Sequence, residues 1–257
     1  MKVVILAGGF GTRLSEETDA IPKPLVEIGG RPILWHIMKR YTAYGFREFV
    51  ICCGYKGHQI KRYFLNYIAE SSALRVTTAD GKATPLKGHA EDWVVDLIDT
   101  GLNTMTGGRL KRIAEYVGNS TFCMTYGDGV SDVDVSALVD FHRNHGRLAT
   151  VTAVPSPGRF GILDIVGDAK VQAFLEKPHN EMGMINGGFF VLEPAALDLI
   201  EGDATVWEKE PLETLARQDQ LAAYIHHGFW KPMDTLRDKR ELENLWASGH
   251  APWQNWL

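Results

Sequence analysis

Three glycines, a threonine and an arginine follow a short apolar run near the start of this chain. The string is Leu6-Ala7-Gly8-Gly9-Phe10-Gly11-Thr12-Arg13-Leu14, and Pro22-Lys23-Pro24 comes shortly after it. Glycines at the end of such a run let the backbone approach a ligand closely and turn several N–H groups into one concavity, which suits an anion. Thr12 adds a hydroxyl. Arg13 adds a permanent cation whose planar fork of donors matches phosphate oxygens. Lys23 adds a second cation from a segment stiffened by proline on both sides. With Leu6 and Ala7 directly before the glycines, the set reads as a nucleoside-triphosphate site built for chemistry at phosphorus. Attack on the α-phosphorus of a triphosphate places negative charge on attacker, equatorial oxygens and leaving group together, so it calls for positioning and cations, usually with Mg²⁺. Mg²⁺ takes a few carboxylates and keeps several waters. Asp128, in Tyr126-Gly127-Asp128-Gly129 at the end of a second apolar run, is the candidate ligand, and a plain turn residue is the competing reading.

Two other phosphate loops are excluded by spacing. The chain has no Gly, four residues, Gly-Lys-Ser/Thr string, and Gly9-Phe10-Gly11 is followed by Leu14 where a dinucleotide fingerprint needs a third glycine.

The elements that must hold these residues alternate. Val3 to Ala7 reads as a buried parallel strand. Pro32 reads as the first residue of a helix that keeps its period to Gly45. Glu48 to Cys53 is a strand. Lys56 to Glu70 is a helix with Ile60, Tyr63, Phe64, Tyr67 and Ile68 on one face. Leu74 to Ala79 and Trp93 to Asp99 read as strands, and the polar stretch Asp80 to His89 between them as an exposed loop. A helix over Thr106 to Val117, a strand over Thr121 to Thr125, and a helix over Val133 to His145 capped by Asp132 or Asp134 follow. This alternation predicts an open α/β sheet of Rossmann type, mostly parallel and covered by helices on both faces. Ligands of such sheets sit beyond the carboxyl ends of the strands, where Gly8–Arg13 and Asp128 both fall. The second half is more elaborate. It reads as strands at Ala149 to Val154, Ile185 to Leu192 and Leu221 to Ile225, a hairpin of Ile162 to Val166 with Val171 to Leu175, helical segments at Pro194 to Ile200 and Pro211 to Arg217, and a last helix from Thr235 to Ala247. With no linker or repeat in view, the expectation is one domain over 1–257, with a nucleotide half to about 147 and an elaborated second half, 148–257, after it.

At 257 residues with 45% hydrophobic content the chain has material for a sizeable core. Its 27 basic and 32 acidic residues give a formal charge of −5, without the basic footprint of a nucleic-acid binder. No apolar run has the length of a membrane span or of a signal-peptide core, and Cys52, Cys53 and Cys123 lie in apolar strand-like runs as reduced thiols do, so a cytoplasmic location is expected.

The motifs Leu6 to Leu14 and Pro22-Lys23-Pro24 resemble the opening of the sugar-1-phosphate nucleotidyltransferases, and the similarity runs along most of the chain. The resemblance implies a second set of residues. Asp128 corresponds to the family's metal-binding aspartate. Asp234, in Gly228-Phe229-Trp230-Lys231-Pro232-Met233-Asp234-Thr235, is implied as the second Mg²⁺ ligand, against the reading that it caps the final helix. Phe174-Leu175-Glu176-Lys177-Pro178 matches the family's E-K-P element, which implies Lys177 on the sugar phosphate and Glu176 on sugar hydroxyls. Asn186-Gly187-Gly188 resembles the element that meets the sugar, and Gly158-Arg159-Phe160-Gly161 one that lines its pocket. The Q-x-x-P-x-G-T-A stretch of uridylyl- and thymidylyl-transferring relatives is absent. In its place stands Thr104-Met105-Thr106-Gly107-Gly108-Arg109-Leu110, similar to the cytidylyl-transferring branch. Cytosine offers a ring carbonyl and N3 as acceptors and an amino group as donor, so Arg109 and Thr104 are candidate base readers; a surface arginine at a helix start is the alternative. The resemblance thus implies CTP and glucose 1-phosphate as substrates, CDP-glucose for deoxysugar pathways as product, and a homo-oligomer, hexameric in that branch. UTP, dTTP or GTP as donor, and a non-catalytic nucleotide-sugar-binding regulatory protein, remain as alternatives. Trp246, Trp253 and Trp256 in the tail read as anchors to another surface, in the same chain or a neighbour.

Overall fold

The computed structural model describes residues 1–88, 91–156, 162–166, 170–175 and 183–256. Nine strands among them form one sheet: β1 (Val3–Ala7), β2 (Glu48–Cys53), β3 (Val94–Asp99), β4 (Phe122–Tyr126), β5 (Ala149–Pro155), β6 (Ile162–Val166), β7 (Lys170–Leu175), β8 (Met184–Leu192) and β9 (Leu221–Ile225). Their spatial order is β5-β9-β7-β6-β8-β4-β1-β2-β3, with a further β5–β8 pairing. β1 is flanked by parallel neighbours, β2 from Val3↔Phe49 to Ala7↔Cys53 and β4 from Val3↔Cys123 to Leu6↔Tyr126. That placement accounts for its unbroken apolar sequence, because both faces are covered. Val3, Ile5 and Ala7 pack into a core with the helix Ile33–Thr42, whereas Val4 and Leu6 pack into another with Leu110, Leu212 and Leu215. Helices therefore lie on both faces, as the alternation predicts. The parallel block is β4-β1-β2-β3; β8 turns antiparallel against β4, from Phe189↔Thr125 to Leu192↔Phe122, and carries the sheet into the second half.

Several boundaries differ from the sequence reading. Pro32 pairs with Glu27 in a minimal hairpin and the helix begins at Ile33. The expected helix from Thr106 to Val117 is two pieces, Thr106–Arg112 and Ala114–Val117, broken at Ile113. Ile68 is 56% exposed and leaves the apolar face it was assigned to. The stretch read as a loop after Asp80 contains a strand, Lys82–Gly88, paired antiparallel with Ser72–Thr77. Its lysines and Pro85 gave no alternating pattern, and the Asp80-Gly81 pair is the signal that marks the turn. Among the described residues no helix is long and apolar enough to cross a membrane.

The tail aromatics anchor on their own chain. Trp246, Trp253 and Trp256 surround His36, and Trp256 also meets Trp35 edge-on. His36 Nε2 lies 2.8 Å from the Ile28 carbonyl, which accepts only, so that nitrogen carries the proton and Nδ1 accepts from Trp253 Nε1 at 3.3 Å. Burial pushes the His36 pKa down to about 4. His145 is likewise held at about 4, first by burial and then by the neighbouring His142 and Arg147. Both rings are neutral in the fold and titrate near 6.5 once unfolded. Below about 6.5 the unfolded chain binds the additional protons, so stability is full above that pH and declines as pH falls toward 4. Thermal melts at pH 7.5, 6 and 5 should show a falling midpoint, and a constant midpoint over that range would overturn the assignment of neutral rings.

Candidate active site

The glycine loop leaves β1 at Gly8 and ends in a short 3-10 turn over Thr12–Leu14. Arg109 is one of its anchors, beside the Tyr55 amide on Gly8 O at 3.1 Å and the Thr18 hydroxyl on Gly11 O at 3.0 Å. The Arg109 side chain is only 4% exposed, and its guanidinium donates to backbone at the carboxyl ends of three neighbouring strands. Nη2 donates to Gly8 O at 3.0 Å and Leu102 O at 3.3 Å; Nη1 donates to Gly101 O at 2.8 Å, Cys53 O at 3.3 Å and the Thr100 hydroxyl at 2.7 Å. A Cβ at Gly8 would collide with the guanidinium, and one at Gly54 would come within 2.5 Å of it, which is why glycine follows both strands. Neither sequence reading of Arg109 anticipates this arrangement. It is not a surface arginine; its fork donates to carbonyls, and the side chain also lines the larger cavity. Thr104, 7% exposed, lines the same cavity.

Lys23 is 8% exposed and its ammonium bridges two carboxylates, at 2.7 Å from Asp128 Oδ2 and 2.7 Å from Asp234 Oδ1. Arg13, with its side chain largely in solvent, reaches the other oxygen of Asp234 at 2.7 Å. Burial alone would lower the Lys23 pKa, but attraction to Asp128 and Asp234 outweighs it and the net shift is upward, so Lys23 is a cation here. The two aspartates are brought together by a feature with no sequence signature. Gly129–Ser131, directly after Asp128, pairs antiparallel with Trp230–Pro232, directly before Met233 and Asp234. The Met233 amide donates to Asp128 O at 2.8 Å and closes the ribbon. Asp234 does not cap the final helix. Thr235 does, in a capping box with Asp238, which leaves both Asp234 oxygens to the two cations.

The cleft has two lobes. One, of about 570 Å³, is lined by Leu6 to Arg13, Lys23, Thr104, Thr106 and Arg109. The other, of about 330 Å³, is lined by Asn186, Gly187, Gly188, Trp230, Glu208 and Asp234. Arg13, Tyr126 and Asp128 belong to both walls, so the carboxylate and cation cluster stands where the lobes meet. Glu176, Lys177 and the Gly158–Gly161 string lie outside the described residues. Glu208 is a site carboxylate that sequence reasoning passed over, because its neighbours carry no motif.

A profile described as nucleotidyl transferase matches residues 2–238, and the chain belongs to the nucleotidyl transferase family. It is 58% identical over 257 residues to glucose-1-phosphate cytidylyltransferase of Salmonella typhi, and 44% identical over 257 residues to a probable glucose-1-phosphate cytidylyltransferase of Bacillus subtilis; each alignment covers 100% of both chains. Among solved structures, HddC from Yersinia pseudotuberculosis superposes with a TM-score of 0.76 at 24% identity, over 95% of this chain and 99% of that one, a likeness of fold.

Proposed function

We propose that this protein transfers a cytidylyl group from CTP to α-D-glucose 1-phosphate, giving CDP-glucose and pyrophosphate. The observation that carries the reading is Lys23, held between Asp128 and Asp234 at the junction of the two lobes. The full-length similarity to glucose-1-phosphate cytidylyltransferases supports the choice of substrates. In this reading the glycine loop and Thr12 bind the triphosphate, Thr104 contributes to the base pocket, and Arg109 helps to anchor the loop. A phosphate oxygen of the sugar phosphate attacks the α-phosphorus in line, the bond to the β-phosphate breaks, and pyrophosphate departs beside Arg13. Lys23 stabilises charge on the α-phosphoryl oxygens. No protein nucleophile is needed, because the sugar phosphate is already an anion. Asn186 and Gly187 meet the sugar, with Glu176 and Lys177 assigned to its hydroxyls and phosphate. The two halves, 1–147 and 148–257, act as one catalytic unit, assembled as a homo-oligomer, a hexamer on the family pattern, in the cytoplasm.

Asp128 and Asp234 fit Mg²⁺. Their oxygens already converge on one cation, the second oxygen of Asp128 has no partner among the described residues, and no third His, Cys, Asp or Glu joins them there. Mg²⁺ favours such a site, with one or two carboxylates and the rest of its shell from phosphate and water. Bound there, the ion would neutralise charge on the α-phosphate and on the leaving pyrophosphate. EDTA should abolish turnover and added Mg²⁺ should restore it; full activity in EDTA would remove both aspartates from the metal role. Pyrophosphate release with glucose 1-phosphate against CTP, UTP, dTTP and GTP tests the whole reading. Strong preference for CTP is the expected result, and silence with all four would overturn it.

A further inference from the structure

Glu208 ends a strap, residues 203–208, that lies across the start of the helix Thr106–Arg112. The Met105 amide donates to Asp203 O at 2.8 Å, the Gly108 amide to Thr205 O at 3.2 Å, and the Trp207 amide to the Thr106 hydroxyl at 2.9 Å. Gly107 and Gly108 permit the approach, since a Cβ there would stand 2.8 Å from Thr205 O and 2.5 Å from Asp203 Cα. Trp207 is fully buried and packs edge-on to Phe190, which leaves Glu208 little freedom.

From this fixed position the carboxylate gathers both walls of the cleft. One oxygen accepts from the Thr106 hydroxyl at 2.6 Å, and the other accepts from the Tyr126 hydroxyl. A carboxylate only accepts, so Tyr126 must donate to it. The phenol oxygen then accepts from Asn186 Nδ2 at 3.3 Å, while Asn186 Oδ1 accepts from the Gly188 amide at 2.8 Å. Every donor direction in the chain Thr106–Glu208–Tyr126–Asn186 is thereby set. The chain runs from the nucleotide lobe, across the shared wall, to the smaller lobe. It leaves one Asn186 amide hydrogen without a partner among the described residues.

We propose that Glu208 is the positioning residue for the sugar phosphate. It orients Tyr126, and through Tyr126 the Asn186 amide, toward the sugar, and it ties that pair to the nucleotide lobe through Thr106. The inference rests on the cytidylyl-transfer reading and adds to it a residue that does not itself touch the reacting atoms.

Glu208→Gln keeps the shape but has one acceptor oxygen where the carboxylate has two, so its NH₂ group faces either Thr106 or Tyr126 and one of the two links is broken. A mispositioned Asn186 amide loses its hydrogen bond to the sugar, which corresponds to about tenfold in affinity. The expected result is a KM for glucose 1-phosphate raised about tenfold, a KM for CTP nearly unchanged, and an unchanged melting midpoint. Tyr126→Phe should raise the same KM, and the double variant should be no worse than the worse single one, because both act through one chain. Unchanged KM values in Glu208→Gln, or a fall in melting midpoint with both KM values moving together, would overturn the proposal and leave Glu208 as a strap anchor. Should Glu208→Gln fail to fold, Tyr126→Phe decides by the same KM readout. A wild-type protein without turnover on these substrates would overturn the activity reading itself, whereas an active wild type matched by Glu208→Gln overturns only the role of Glu208.

Discussion

Lys23→Ala should lower kcat by about 10²–10³, the usual loss when one preorganised donor to developing charge is removed, while the protein stays folded. The ammonium is nearly inaccessible to solvent and is held at 2.7 Å from each of two carboxylates, so it needs no reorganisation as charge builds on the α-phosphoryl oxygens. Stability is protected by the surroundings. Asp234 keeps Arg13 as a partner, and the Asp128 side chain is 33% exposed and regains water. The change should therefore appear in kcat rather than in the melting midpoint. Lys23→Arg should not rescue, because a planar fork does not replace a compact ammonium between two carboxylates. The check is steady-state kinetics on a variant whose thermal melt matches the parent. Normal turnover, or early melting that accounts for the loss, would remove Lys23 from the chemistry.

Legibility in the sequence followed the range of the interactions involved. β1 and β2 appear with the boundaries their apolar runs predict, since each run ends in a glycine that its neighbours require. The glycine loop, Lys23 and Asp128 were visible as local strings. What brings Asp128 to Asp234 was not, because three-residue strands at Gly129–Ser131 and Trp230–Pro232 are too short to carry a period. The cap of the last helix is offered to Asp234 by the sequence reading, although the Thr235-x-x-Asp238 spacing is a capping-box pattern that frees Asp234. The Lys82–Gly88 strand was hidden by its composition, since a solvent-facing hairpin has no buried face to impose alternation. Glu208 was beyond reach for a different reason. Its place depends on a strap docking against two glycines about 100 residues earlier, and those glycines were read as part of a base-contacting run.

Those same glycines adjoin Arg109, where two readings predict different experiments. As a brace, Arg109 serves the carbonyls of Gly8, Cys53, Gly101 and Leu102 and the Thr100 hydroxyl. Arg109→Ala would remove five hydrogen bonds from a charged donor; Gly8 O keeps the Tyr55 amide, Cys53 O keeps the Thr100 amide and hydroxyl, and Leu102 is exposed, so the cost is the lost bonds and packing, not orphaned acceptors. A net loss of about 3 kcal/mol corresponds to ~6–12 °C in melting midpoint for a chain of this size. Because the released loop is the triphosphate seat, affinity should fall together for CTP, UTP, dTTP and GTP, by about tenfold or more. Arg109→Lys should recover part of the stability, since it keeps the charge but reaches fewer of the carbonyls. A residue that read cytosine would behave otherwise: a good bidentate base contact is worth about 1–3 kcal/mol of discrimination, so its loss would collapse the CTP-to-UTP ratio and leave the melt in place. Thermal melts and the four-nucleotide assay on Arg109→Ala and Arg109→Lys separate the two. A lowered midpoint with an unchanged CTP-to-UTP ratio is the result the brace requires, and a collapsed ratio at constant midpoint would return Arg109 to the base pocket.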